Sequence, residues 1–288
     1  AATIQSVAED IGADALAPSY HDPDVIWAGS DDGLVHVTRN GTATDPTWEN
    51  VTPPDAPDFV RINTIEASPT TPGKAYVAGI RYLVDDDRAP YIWRSEDYGR
   101  SWTKIVNGIP GDDFVRAVRE DPERPGLLYA ASERTVYVSW DDGENWQPLD
   151  NGLPVTQVSD LVVEDHDLVI STHGRSFWVM QDIGILRQLP DMLAQEGPVL
   201  YDPRDPVADF DYGVAVDYYL PGEVESVTVE FLDAGGDVVR TLESGEGRGA
   251  PSNEAGTHRV RWNMRYDGWR DFEGRIFWAA GNSGPPAT

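Results

Sequence analysis

Cysteine is absent from this chain, which excludes a disulfide framework, thiol chemistry and any Cys-ligated metal. Lysine is almost absent: Lys74 and Lys104 are the only two, and 22 basic residues against 50 acidic ones give a formal net charge of −28. So acidic a surface argues against nucleic-acid or anionic-membrane partners. It suits a high-salt environment, and a GC-rich genome would favour Arg over Lys equally well. No apolar run reaches the roughly 18–20 residues that span a bilayer. The opening Ala1-Ala2-Thr3-Ile4-Gln5 has neither a Met nor the charged and apolar regions of a signal peptide, so the reading is a removed leader or an internal piece of something longer. A length of 288 residues still suffices for a large core, as one large domain or two ordinary ones.

What is present is repetition. Ser95-Glu96-Asp97-Tyr98-Gly99-Arg100-Ser101-Trp102 and Ser139-Trp140-Asp141-Asp142-Gly143-Glu144-Asn145-Trp146 both read Ser-x-Asp-x-Gly-x-x-Trp, 44 residues apart. That spacing suits one four-stranded propeller blade. The Asp can accept hydrogen bonds from its own turn, the Gly can take positive φ, and the Trp can pack the start of the next strand. The motif is therefore a turn lock that predicts architecture rather than chemistry. Thr38-Arg39-Asn40-Gly41, with Trp48 further on, reads as a decayed copy.

A second element, Pro-x-x-x-aromatic, recurs at Pro23–Trp27, Pro72–Tyr76 and Pro125–Tyr129, each followed by small residues. Between these markers each unit divides into four short strands. The third unit gives Val115–Glu120, Leu127–Ser132, Val136–Trp140 and Trp146–Leu149. A fourth begins near Val158 and is expected to supply Asp160–Glu164, Leu168–Thr172, Ser176–Met180 and Ile185–Leu189. The expected fold is all-β: residues 1–198 form about four blades of a larger β-propeller, with further blades upstream. Residues 199–288 then form a small antiparallel β-sandwich, with a hairpin turn at Ala234-Gly235-Gly236-Asp237. The loop-like Gly281–Thr288 suggests that this module is incomplete.

At these residues the chain resembles the Asp-box (bacterial neuraminidase repeat) propellers. That group includes sialidases, xyloglucan-cleaving glycosidases, photosystem assembly factors and sortilin receptors. It is most similar to bacterial sortilin-like or "glycosyl hydrolase" proteins, in which a stretch like Thr172–Asp182 closes the propeller and an Ig-like module follows. The resemblance implies an extracytoplasmic protein. It does not fix an activity, because such folds host many.

The candidate site residues follow. Asp97 and Asp141 are carboxylates, but at equivalent turns of neighbouring blades they read as structural locks together with Ser95, Gly99, Trp102, Ser139, Gly143 and Trp146. His173 and Arg175 flank Gly174 beside an inner strand and can be read as channel-facing groups for a carboxylate ligand; the plainer alternative is a turn with Arg175 paired to a nearby acid. Trp140 is the candidate solvent-facing stacking ring, with Trp269 a second. No motif identifies a sialidase Arg cluster among Arg61, Arg81, Arg116 and Arg175, and neither catalytic Asp of the xyloglucanases can be placed. Asp85-Asp86-Asp87 and Glu164-Asp165-His166-Asp167 read as solvated loops rather than Ca²⁺ sites. The expectation is a non-catalytic module binding a peptide or glycan, without cofactor or metal. The alternatives are a glycoside hydrolase with part of its site in other blades, and an assembly factor for another protein.

Overall fold

The structure, a computed structural model, describes residues 13–149, 151–204, 213–245, 249–266 and 284–285. It divides into two compact units, Ala1–Ile183 and Gly184–Thr288.

The first unit is built from four antiparallel meanders. Sheet 1 runs β1 (Ala13–Pro18), β2 (Ile26–Ser30), β3 (Val35–Thr38) and β4 (Trp48–Asn50). Sheet 2 runs β5 (Arg61–Ala67), β6 (Ala75–Arg81), β7 (Asp87–Ser95) and β8 (Thr103–Lys104). Sheet 3 runs β9 (Val115–Glu120), β10 (Leu128–Ser132), β11 (Val136–Ser139) and β12 (Gln147–Pro148). Sheet 4 has three strands among the described residues: β13 (Val158–Glu164), β14 (Asp167–Thr172) and β15 (Phe177–Met180). In each of these sheets spatial order follows chain order, and the first strands β1, β5, β9 and β13 abut one after another. This is the way propeller blades stack.

The strands read as near-continuous apolar runs because both faces of the middle sheets are covered. One core cluster joins sheets 1 and 2 around the fully buried Trp27 and Trp93. The next joins sheets 2 and 3, where Ile92, Ile105, Ile109, Leu128, Ala130 and Tyr137 gather with Trp146. A register shift interrupts each first strand at the same place, between Ala13/Ala15, Ile62/Thr64, Ala131/Ser132 (opposite Ala117/Val115) and Val158/Asp160. Such a bulge turns a carbonyl out of its own ladder. The Arg116 carbonyl uses this freedom, accepting from Asn63 Nδ2 at 2.6 Å and Thr64 Oγ1 at 2.8 Å in the neighbouring sheet.

The second unit opens with α1 (Gly184–Leu193). This corrects the strand expected at Ile185–Leu189. The apolar residues Ile185, Leu186, Leu189, Met192 and Leu193 fall at three- and four-residue intervals, the period of a helix. Gln188 then fixes the following chain, accepting from Asp202 N at 2.9 Å and donating to Asp202 O at 3.0 Å. A three-stranded sheet follows, β16 (Val199–Leu200), β17 (Val214–Leu220) and β20 (Gly256–Trp262), with a hairpin of β18 (Thr228–Leu232) and β19 (Val238–Glu243). Val216, Tyr218, Leu220 and Val260 form its core, with Val229, Phe231 and Leu242 of the hairpin packed against them.

Candidate functional site

The two Ser-x-Asp-x-Gly-x-x-Trp turns are near-identical devices. Ser95 Oγ donates to Asp97 Oδ1 at 3.0 Å and accepts from Gly99 N at 2.8 Å, while Asp97 accepts from Ser101 N and Ser101 Oγ at 2.9 and 2.7 Å. Ser139 Oγ donates to Asp141 at 2.8 Å and accepts from Gly143 N at 2.9 Å, and Asp141 accepts from Asn145 N and Nδ2 at 2.8 and 2.7 Å. Gly99 and Gly143 have φ of 82° and 85°, a region hostile to side chains. A Cβ there would also collide with Val51 of sheet 1 or Ile105 of sheet 2. The decayed copy works too: Thr38 Oγ1 donates to Asn40 Oδ1 at 2.9 Å, and Asn40 Oδ1 accepts from Thr47 N at 2.9 Å.

The bonds reveal three things that the sequence reading missed. First, the two repeat motifs clasp each other. The amides of Gly41, Tyr98 and Asp142 donate to the carbonyls of Asp24, Gly73 and Gly126, just after the Pro of each second motif. Second, the Trp reaches back to the preceding sheet. Trp102 Nε1 donates to Val51 O at 2.6 Å and Trp146 Nε1 to Ile105 O at 2.9 Å. The Trp48 Nε1 of sheet 1 is buried without an acceptor among the described residues. Third, sheet 4 keeps a remnant, Met180-Gln181-Asp182-Ile183-Gly184, whose Ile183 amide still donates to His166 O at 2.7 Å.

The locks leave their carboxylates chemically occupied. Hydrogen bonds from the Ser101 backbone and side chain hold Asp97 below the usual carboxylate range. For Asp141 burial pushes upward, but the bonds from Asn145 and Ser139 outweigh it and the group is also held low. The variable slot does structural work as well. Asp142 takes the buried Lys74 at 2.7 Å, the Tyr76 hydroxyl at 2.5 Å and Arg94 at 3.2 Å, all from sheet 2 and its turns.

His173 and Arg175 stand exposed in the hairpin between β14 and β15. That hairpin is held by its backbone: His173 N donates to Gln157 O at 2.9 Å, and Trp178 Nε1 donates to Arg175 O at 3.0 Å. Trp140 is half-buried in its turn. The hairpin precedes a third strand and the lock follows one, so the structure does not bring Trp140 together with His173 and Arg175. Trp269 lies outside the described residues. Arg81 and Arg88 tie the Asp85-Asp86-Asp87 loop down through Asp85, Asp86 and Asp87, and among the described residues no group of three acids or histidines is placed to hold a metal.

Along the first strands, Arg119 lies between Glu66 at 3.7 Å and Asp160 at 3.1 Å. Burial pushes the Glu66 carboxyl up to about 7 despite Arg119 and the Glu120 backbone. Glu66 is 9% exposed, whereas the Asp160 side chain is 59% exposed, so only one of the two carboxylates that share Arg119 is open to solvent. Elsewhere, a solvent-open groove of about 80 Å³ lies between sheets 3 and 4 and is lined by Val136, Leu149, Leu153, Leu168, Ile170, Trp178 and Met180. β15 beside it pairs only with β14 among the described residues. Its Phe177, Trp178 and Val179 are 74%, 40% and 53% exposed. The signal that could have found the groove is a further repeat, Asn107-Gly108-Ile109-Pro110 and Asn151-Gly152-Leu153-Pro154.

No family model and no curated protein matches the chain. Among solved structures it is similar to YCF48 bound to D1 peptide, at 15% identity over 81% of this chain and 69% of that one, with a TM-score of 0.43. It is similar to the GH74 xyloglucanase from Xanthomonas campestris, at 17% identity over 91% of this chain and 42% of that one, with a TM-score of 0.42. A computationally designed protein, Ika4, matches at 11% identity over 59% of this chain and 91% of that one, with a TM-score of 0.41. The chain thus spans less than half of the xyloglucanase. At these values no residue's role passes from those proteins to this one.

Proposed function

We propose that this chain is a non-catalytic binding module for extended polypeptide, built on part of an Asp-box propeller of the sortilin-like class with an Ig-like accessory module from about residue 199. The observation that carries the reading is the outer side of sheet 4 as the described residues leave it. Among the described residues β15 offers a free edge and three exposed apolar side chains beside an apolar groove. A free strand edge is a template for another strand, which natural proteins usually cover. The lock carboxylates, meanwhile, are saturated by their own turns.

A second reading, glycoside hydrolysis, is favoured by one observation: Glu66 and Asp160 share Arg119, and the Glu66 carboxyl is raised into the range of a general acid. Both are tested by incubating the full chain with an array of random peptides and with a broad glycan panel. Peptide retention without release of reducing sugar is the expected result. Sugar release that disappears in Glu66→Gln would replace the binding reading with the enzymatic one.

A further inference from the structure

Sheets 1, 2 and 3 each end in a fourth strand that begins with the same local pattern: Trp48-Glu49-Asn50-Val51, Trp102-Thr103-Lys104-Ile105 and Trp146-Gln147-Pro148-Leu149, a Trp followed three residues later by an aliphatic residue. Each aliphatic amide bonds back to the third strand: Val51 N to Val35 O at 2.8 Å, Ile105 N to Ile92 O at 2.9 Å and Leu149 N to Val136 O at 2.8 Å. Among the described residues, sheet 4 has the place for such a strand but not the strand.

The register fixes the correspondence. Thr38, Ser95, Ser139 and Met180 close the third strands opposite Ile26, Ala75, Leu128 and Leu168. The lock amide clasp survives in sheet 4 at Ile183. The groove therefore occupies the position that Trp146 fills between sheets 2 and 3. Leu149, Leu153, Ile170 and Trp178 line it, at the positions where Ile105, Ile109, Ala130 and Tyr137 meet Trp146.

The backbone of the seat is duplicated as well. The Trp146 amide donates to Asn107 O at 2.8 Å, and a Cβ on Gly108 would strike the Trp146 carbonyl. Gly152, at the matching point of Asn151-Gly152-Leu153-Pro154, has positive φ like Gly108, yet a Cβ there would meet nothing within 4 Å. Among the described residues the same seat is filled in one sheet and open in the next.

We infer that sheet 4 takes its fourth strand from another polypeptide, an extended segment of pattern Trp-x-x-aliphatic. This deepens the peptide-binding reading and rests on it. The Trp pairs opposite Met180 and enters the groove, its indole N–H directed at the Leu149 carbonyl as Trp102 and Trp146 are directed at Val51 and Ile105. The next two residues lie along Val179 and Trp178, and the aliphatic residue's amide reaches the Phe177 carbonyl. Backbone pairing supplies affinity and the Trp seat supplies selectivity, the usual division in strand addition.

The probe is a fluorescein-labelled peptide of sequence Ser-Glu-Asp-Tyr-Gly-Arg-Ser-Trp-Thr-Lys-Ile-Val, identical to residues 95–106, titrated with the full chain and read by fluorescence anisotropy. Saturable binding is expected, weakened at least about tenfold when the peptide's Trp becomes Ala. Leu153→Glu, which puts a charge on the half-buried groove wall, should weaken it similarly, and Trp178→Ala provides a second variant should Leu153→Glu fail to fold by circular dichroism. Equal binding of the Trp and Ala peptides would overturn the inference. So would a concentration-dependent dimer of the chain dissolved by Leu153→Glu, which would make a second copy the occupant. If the random array retains peptides but this probe does not bind, the inference falls and peptide binding stands; if neither binds, both fall.

Discussion

Replacing Glu66 by Gln should change the pH dependence of folding in one defined direction. Glu66 sits on β5, buried, with its carboxylate accepting from the Glu120 backbone and lying 3.7 Å from Arg119. Burial dominates, and the group rises from 4.5 to about 7. The folded state therefore holds this proton more tightly than the unfolded chain. Glu66 stabilises the fold fully below about pH 4.5, and that contribution is lost as pH rises through about 7, beyond which the difference is constant. At 1.36 kcal/mol per pH unit, a rise from 4.5 to about 7 corresponds to about 3 kcal/mol. Glu66→Gln carries a neutral isostere and lacks this loss. Relative to the parent, its stability should thus rise by about 3 kcal/mol between about pH 4.5 and about pH 8. Urea unfolding across that range, followed by the fluorescence of the buried Trp27 and Trp93, measures the difference directly. Parallel curves for the two proteins, with no divergence between about pH 4.5 and about 7, would refute the account of Glu66 as a carboxyl kept protonated by burial.

The locks make further claims. Asp141→Ala should lower stability by about 1–3 kcal/mol, because the Ser139 hydroxyl and the Asn145 amide lose their acceptor. The deficit should shrink as pH falls through the depressed pKa of the parent Asp; an unchanged melting temperature at neutral pH would contradict the lock. Folding should also strengthen from dilute buffer to molar NaCl, as screening relieves the repulsion of a −28 chain, and weaker folding in salt would count against that balance.

Much of the first unit was legible because its signals are local. Val115–Glu120 coincides with β9, and the lock turns form where a short acceptor, a glycine and a tryptophan stand at fixed offsets. Ile185 and Leu189 misled because a four-residue apolar interval was read inside a run of strands, where it marks the helix α1 instead. The clasps joining Tyr98 to Gly73 and Asp142 to Gly126 could not be read, since a carbonyl accepts whatever side chain its residue carries. Glu66, Arg119 and Asp160 are far apart in sequence and meet only because successive first strands abut. His173 and Arg175 stand next to an inner strand in the sequence, and the structure places both, exposed, in the hairpin between β14 and β15.

The tryptophan staples also have a direction. Val51 precedes Trp102 in the chain, and Ile105 precedes Trp146. For these two staples the accepting carbonyl is synthesised before the tryptophan that bonds it, so sheets 2 and 3 each fasten onto residues already made. Each of the two bonds can form as soon as the later sheet's tryptophan is in place.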